Sequence, residues 1–206
     1  MNVDAVPASI SNRLVQLFVS IAREELGTED LQRVLSPLHL EQAALEKNAL
    51  ARLDGRQAAE IYANLQQGLR LVYGRGVRGL LLRIGRKMWD RLVLQATFRE
   101  KAELEVTRRL PVPARRQRAL AFVAERLEEG GGLVSVHPLD TDLLLADRAS
   151  AATLHQSSEH GLCFVTQGLI QGALFWATGQ EADVEEIACK AAGAPACEFK
   201  VTFGAG

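Results

Sequence analysis

The chain is short of several things, and each shortage narrows what it can be. Aromatic residues make up only 5% of it, so every Trp and Phe is worth locating. No stretch approaches the ~18 apolar residues that a membrane-spanning helix needs. The opening residues MNVDAVPASI lack the basic n-region and long apolar h-region of a secretory leader, and a soluble, cytoplasmic protein is expected. Around His39, His137, His155 and His160 there is no Ser/His/Asp order, and no Gly-x-Ser-x-Gly elbow occurs, which removes a common hydrolase arrangement. Gly74-x-Gly76-x-x-Gly79 has the form of a dinucleotide fingerprint, but it follows a helical pattern instead of a strand. With no other nicotinamide or flavin signature, an autonomous reductase is not expected.

Cysteine is scarce too, yet its placement is informative. The three cysteines, Cys163, Cys189 and Cys197, all fall in the last quarter of the 206 residues. Two of them flank a Gly193-Ala-Pro195 turn, and Glu186 precedes Cys189 by three residues. Three thiolates and a carboxylate make a complete tetrahedral ligand set for zinc, with no vacancy for a catalytic water. A structural metal is therefore one reading. Buried small hydrophobes are another, since that is what free cysteine often is, and no short Cys-x-x-Cys knuckle is present. An odd count in a chain without a leader argues against a disulfide framework. His160, three residues before Cys163, is an alternative fourth ligand.

The net charge of −1 hides a strong segregation. Residues 1–69 carry a net −3, residues 70–118 a net +10, and residues 119–206 a net −8. The basic block includes Arg75, Arg78, Arg83, Arg86, Lys87, Arg91, Arg115, Arg116 and Arg118, interleaved with Leu80, Leu81, Ile84, Met88 and Leu92. That is the wet face of an amphipathic helix. Without a helix-turn-helix or an aromatic stacking platform, nucleic acid is not the expected partner. Charge complementarity is, either within the fold with the acidic C-terminal segment or between the subunits of a symmetric homodimer.

Periodicity divides the chain near Gly130-Gly131-Gly132. Before it, Leu14, Leu17, Phe18 and Ile21 form a helical stripe that Gly27 stops, and a short helix follows from Thr28 toward Pro37. Asp54 caps a helix striped by Ile61, Leu65, Leu69 and Val72, broken at Tyr73-Gly74. A further helix runs from about Val77 to Phe98, with Gly79 and Gly85 expected to leave room beside neighbouring side chains. Residues 114–129 resume the helical pattern after Pro111-Val-Pro113. After the glycines, Leu133–Val136 and Leu143–Leu145 read as a hairpin with a longer loop. Residues 163–178 read as helix, and Val184–Ile187 and Phe199–Phe203 as strands. The expected class is α+β: one domain over residues 1–206, a helical N-terminal half packed on a small antiparallel sheet. Trp89, Phe98, Phe122, Phe175 and Trp176 are the expected lining of an internal apolar pocket.

The run from Cys163 through Gly168-Leu-Ile-Gln-Gly172 to Glu186-Ile-Ala-Cys189 and Gly193-Ala-Pro195-Ala-Cys197-Glu-Phe199 resembles the 4-vinyl reductase domain. That domain is named for a bacteriochlorophyll-biosynthesis protein. It is similar to the sensor modules of aromatic-responsive bacterial activators and to subunits of a eukaryotic vesicle-tethering complex. The resemblance covers residues 163–199 well and the helical half more loosely, and it implies a core at about 130–203. It implies that Cys163, Glu186, Cys189 and Cys197 bind a structural zinc, in a homodimeric module that binds a hydrophobic small molecule. Residues 112–123 contain no His or Trp to match the phenol-contacting positions of the sensors, so phenol sensing is not implied. The family name adds two further possibilities: an accessory or carrier protein in tetrapyrrole 4-vinyl reduction, and a dimeric scaffold. Neither makes the chain an enzyme by itself.

Overall fold

In the computed structural model, which describes residues 7–128 and 131–204, helices begin where capping side chains stand. Ser11 Oγ accepts from the Leu14 amide at 3.4 Å and starts α1, Asn12–Leu35. Gly27, at φ 72 and ψ 179, kinks α1 at the expected stop, so the two anticipated helices run on across the bend. After the single turn α2, Lys47–Leu50, Asp54 caps α3, Gly55–Tyr73. Asp54 Oδ1 accepts from Gln57 N at 2.8 Å, and Gln57 Oε1 accepts from Asp54 N at 3.0 Å, a reciprocal capping box. Gly74 ends α3 with φ 54.

The next helix is shorter than the periodicity suggests. α4 spans Val77–Leu94 and does not reach Phe98. The reason is local: Thr97 caps a separate helix, α5, Phe98–Arg109, in a second capping box with Glu100. Pro111 then precedes α6, Val112–Leu127, with Pro113 in its first turn, where a missing amide costs nothing. Of the three glycines that end the helical half, Gly130 lies outside the described residues, as do residues 1–6.

The remaining chain forms one antiparallel sheet in the order β1-β2-β4-β3, with a helix inserted. β1, Val134–Leu139, turns tightly through Asp140-Thr141 into β2, Asp142–Asp147. Asp140 adopts φ 47, as a two-residue hairpin turn requires. The expected longer loop is absent because Pro138 joins the ladder opposite Leu143; on an edge strand its lack of an amide is tolerated. α7, Phe164–Thr178, leads to β3, Asp183–Ala188, which pairs with β4, Cys197–Thr202. On β4, Cys197, Phe199 and Val201 all face the interior. The α+β expectation holds.

α7 and α4 pack backbone against backbone. A Cβ on Gly85 would fall 2.7 Å from Leu169 N, and one on Gly168 would fall 2.9 Å from the Leu82 carbonyl carbon. A Cβ on Gly172 would meet Trp89 Cβ at 3.0 Å. The helix glycines therefore close the helix pair together and do not open gaps beside rings, which corrects the sequence expectation. The basic face of α4 also finds a different main partner. Arg83 and Lys87 both bind Glu25, and Arg91 binds Glu24, all on α1. Arg86, paired with Glu181, is the expected contact to the acidic C-terminal segment. Hydrogen bonding by Lys87 and then Arg83 holds the Glu25 carboxyl below its usual range.

Candidate metal centre

Three element ends converge beneath the sheet, and each brings a ligand. Cys163 stands at the N-terminus of α7, Cys189 just beyond β3, and Cys197 at the first position of β4. An irregularity in the β3–β4 ladder between Glu186 and Ala188 breaks the strict alternation of β3. The ligand atoms of Cys163, Glu186, Cys189 and Cys197 all lie within 4.8 Å of one another. Among the described residues this is the cluster that can hold a metal, and His160 is not part of it. The carboxylate, not the imidazole, completes the set.

The spacing fits a metal and excludes a disulfide. Cys163 Sγ and Cys197 Sγ are 3.6 Å apart, and Cys197 Sγ and Cys189 Sγ 4.0 Å. A bonded pair would be at ~2.0 Å. A tetrahedron with zinc–sulfur bonds of ~2.3 Å has edges of about 3.8 Å, midway between the two distances. Glu186 Oε2 accepts from Cys163 N at 2.9 Å, while its Oε1 is buried with no partner. A carboxylate anchored through one oxygen and orphaned at the other suits a monodentate ligand. The sulfurs also receive donors: Lys190 N lies 3.4 Å from Cys197 Sγ, and Ser150 Oγ 3.6 Å from Cys163 Sγ.

Burial shapes the electrostatics. Cys163 and Cys197 are fully buried and Cys189 nearly so. Hydrogen bonds from Cys163 and Cys197 pull the Cys189 thiol down, so one thiolate forms readily. Sharing protons with Cys189 and Cys197, together with burial, pushes Cys163 up. Burial raises Glu186 to about 7, against the lowering effect of the Cys163 amide. Four anionic ligands packed this closely repel one another, and a dication relieves that repulsion.

Sequence reasoning missed the residues that make the cluster possible. Gly161 is one: a Cβ there would sit 2.5 Å from Glu186 Oε2, so only glycine lets the carboxylate reach in. Buried Gln167 donates through Nε2 to the Val184 carbonyl and ties α7 to β3. On α3, Tyr62, Gln66 and Arg70 recur four apart, with Tyr62 and Gln66 buried. Arg70 Nη2 donates to Gln156 Oε1 at 2.9 Å. A buried polar residue inside an apolar stripe was the available signal.

The five aromatics expected at a pocket divide. Trp89, Phe122 and Trp176 meet edge to face, with centroids 5.6 Å apart for Trp89–Phe122 and 5.5 Å for Trp89–Trp176. Arg108 lies over the Trp176 ring at 4.8 Å. Phe175 points away and is half exposed, and Phe98 is 90% exposed at the start of α5, so these two do not join the cluster. Both indole nitrogens are buried without an acceptor. A separate cleft lies beside the metal ligands, lined by Arg78, Phe164, Gln171, Asp183 and Glu186 among others.

Residues 146–203 match the family model for the vinyl-4-reductase domain, the 4-vinyl reductase family that the sequence resembles. No curated protein matches the chain. Among solved structures, the chain resembles an H-NOX protein from S. oneidensis in the Fe(II)NO ligation state. That match has 14% identity and a TM-score of 0.56, and covers 93% of this chain and 98% of that one. It also resembles a point variant of an H-NOX protein from K. algicida in the Fe(II) unliganded state. Here the identity is 12% and the TM-score 0.57, with 94% of this chain and 96% of that one covered. At such identities the likeness is one of fold, and it extends over the helical half as well as the matched segment.

Proposed function

We propose, from the premise that this chain carries a 4-vinyl reductase domain over residues 146–203, that it is a non-enzymatic small-molecule-binding module built around one structural zinc. The observation that carries this reading is the cluster of Cys163, Glu186, Cys189 and Cys197 within 4.8 Å. Three soft thiolates and one carboxylate suit zinc and fill its four positions. A filled tetrahedron leaves no site for substrate or activated water, so the metal would fasten α7 to β3 and β4 and perform no chemistry. No helix among the described residues is long and apolar enough to cross a membrane.

The ligand reading rests on the Trp89, Phe122 and Trp176 cluster. A buried N–H without an acceptor costs about 1–3 kcal/mol, and two indoles carry that cost side by side. A hydrophobic ligand bearing a hydrogen-bond acceptor, wedged between the rings, would remove it. Gly172, against Trp89, sits where such a ligand would separate α4 from α7.

Elemental analysis is expected to give one zinc per chain; protein purified at physiological pH that holds no metal sinks the zinc reading. Anilinonaphthalene sulfonate serves as the apolar probe. Its binding is expected to quench indole fluorescence, and Trp176→Phe to weaken that response at unchanged fold. Quenching that Trp176→Phe leaves intact removes the ligand reading while leaving the metal untouched.

A further inference from the structure

α5 is a helix with an unpartnered side. It buries only Leu104 and Thr107, while Phe98 is 90% and Val106 62% exposed. Phe98, Ala102 and Val106 are spaced four apart and share one face. Beside this stripe runs an apolar groove lined by Ala102, Val106, Thr107, Leu110 and the stem of Arg118. Leu94, four residues before Phe98 across the turn, is 72% exposed as well. A 12-residue helix that shows a phenylalanine knob and a shallow groove on the same side offers both halves of a contact.

The charges beside the stripe say what covers it. At 100° per residue, Arg99 and Glu103 fall on one flank of the stripe, and Lys101 and Glu105 on the other. Each flank thus reads basic first and acidic four residues later. A two-fold axis across Ala102 lays a second copy of α5 antiparallel and sets each flank against its own reversed image. Arg99 then faces Glu103 of the other copy, and Lys101 faces Glu105. Phe98 of each copy enters the other's groove at Val106. A parallel arrangement would put like charges opposite each other.

We propose that this chain self-associates through α5, as an antiparallel two-fold pair centred on Ala102, with Phe98 as the knob. The surface stands apart from the metal cluster and from the Trp cluster, so it holds or fails independently of both.

The test is a charge swap read by analytical ultracentrifugation from low micromolar to submillimolar concentration. The wild-type chain is expected to show a monomer–dimer equilibrium, and Phe98→Asp to weaken it at least tenfold. Lys101→Glu and Glu105→Lys each put like charges opposite and are each expected to weaken the dimer. Mixed in equal amounts, those two variants pair 101 and 105 with opposite signs at both symmetry-related contacts, and the heterodimer is expected to return to wild-type strength. Lys101 and Glu105 are both exposed, so circular dichroism will report both variants folded. A wild-type monomer throughout the range overturns the proposal. A dimer that the single variants leave unchanged, or that mixing does not restore, overturns it as well.

Discussion

Replacing Gly168 by alanine tests the closest joint in the molecule. The added Cβ would stand 2.9 Å from the Leu82 carbonyl carbon, 3.0 Å from Leu82 Cα and closer still to the carbonyl oxygen. All three are backbone atoms, so no rotamer change relieves the clash. Bringing the carbonyl carbon back to ordinary contact, 3.4 Å, means parting α4 and α7 by at least half an ångström along their shared face. That face carries Leu81, Ile84, Trp89, Leu169 and Ile170, all buried. A gap of about 0.5–1 Å forfeits a quarter to a half of each dispersion contact it opens, and overpacking of this kind costs about 1–3 kcal/mol or more. Alanine's better helix propensity returns about 1 kcal/mol. A net loss of about 2–3 kcal/mol is expected, against a total stability on the order of 5–15 kcal/mol. For a chain of this length that lowers Tm by roughly 4–12 °C. Gly79→Ala is the matched control: it lies on α4 with nothing within 4 Å of its added Cβ, and is expected to be neutral or to stabilise by up to about 1 kcal/mol. Thermal and urea unfolding measure both. If the two substitutions shift stability by the same amount, the backbone-on-backbone reading of this joint is wrong.

Other perturbations probe the site and its electrostatics. Cys189→Ser is expected to lower zinc content well below one per chain and to destabilise the fold by several kcal/mol; equal metal content and Tm in mutant and wild type would exclude these ligands. Asp147, 5% exposed, is raised to about 7 by burial, despite the Ala149 amide bond to its Oδ1 at 2.9 Å. Its folded pKa lies above its unfolded value of 3.8, so its contribution is fully present below pH ~4 and is lost as pH rises through about 7. Asp147→Asn keeps an acceptor oxygen. Its stability relative to wild type should climb between about pH 4 and 7 by up to about 4 kcal/mol, at 1.4 kcal/mol per unit, and a flat difference refutes the burial argument. Glu25 is the opposite case, since its lowered pKa stabilises above the usual carboxylate range and that support fades as pH falls. Glu25→Gln is expected to cost about 1 kcal/mol at neutral pH in low salt and less in high salt.

The sequence declared its helix starts because the caps are short-range chemistry. Asp54 and Gln57 satisfy each other within one turn, and hydropathy places α3 between them and Gly74. The break at Thr97 was missed although its capping box is equally local, because the apolar pattern of α4 runs on toward Phe98 and masks it. Cys163, Glu186, Cys189 and Cys197 were legible as a group, since scarcity made three cysteines conspicuous. Gly161 was not, because its need for a missing side chain arises only once Glu186 folds over it. The helix glycines were seen but misread: spacing shows that a backbone is free to approach, not whether a ring or another backbone arrives. Phe98 was misassigned to an interior because composition marks a residue as apolar without saying which side of a helix it faces.

α7 is held at two points of different character. At its first turn Cys163 belongs to the sulfur cluster, and five residues on, about 7.5 Å along the axis, Gly168 is wedged against α4. Side-chain contacts absorb small displacements by changing rotamer, but a helix seated on another helix's carbonyls has no such slack. A shift of the Cys163 sulfur of a few tenths of an ångström therefore reaches α4 almost undiminished. From there it passes to the Trp89 ring and to the ion pairs with Glu24 and Glu25 on α1. Whatever rearranges the ligands of the metal site would be felt on the far side of the molecule as a movement of a rigid lever.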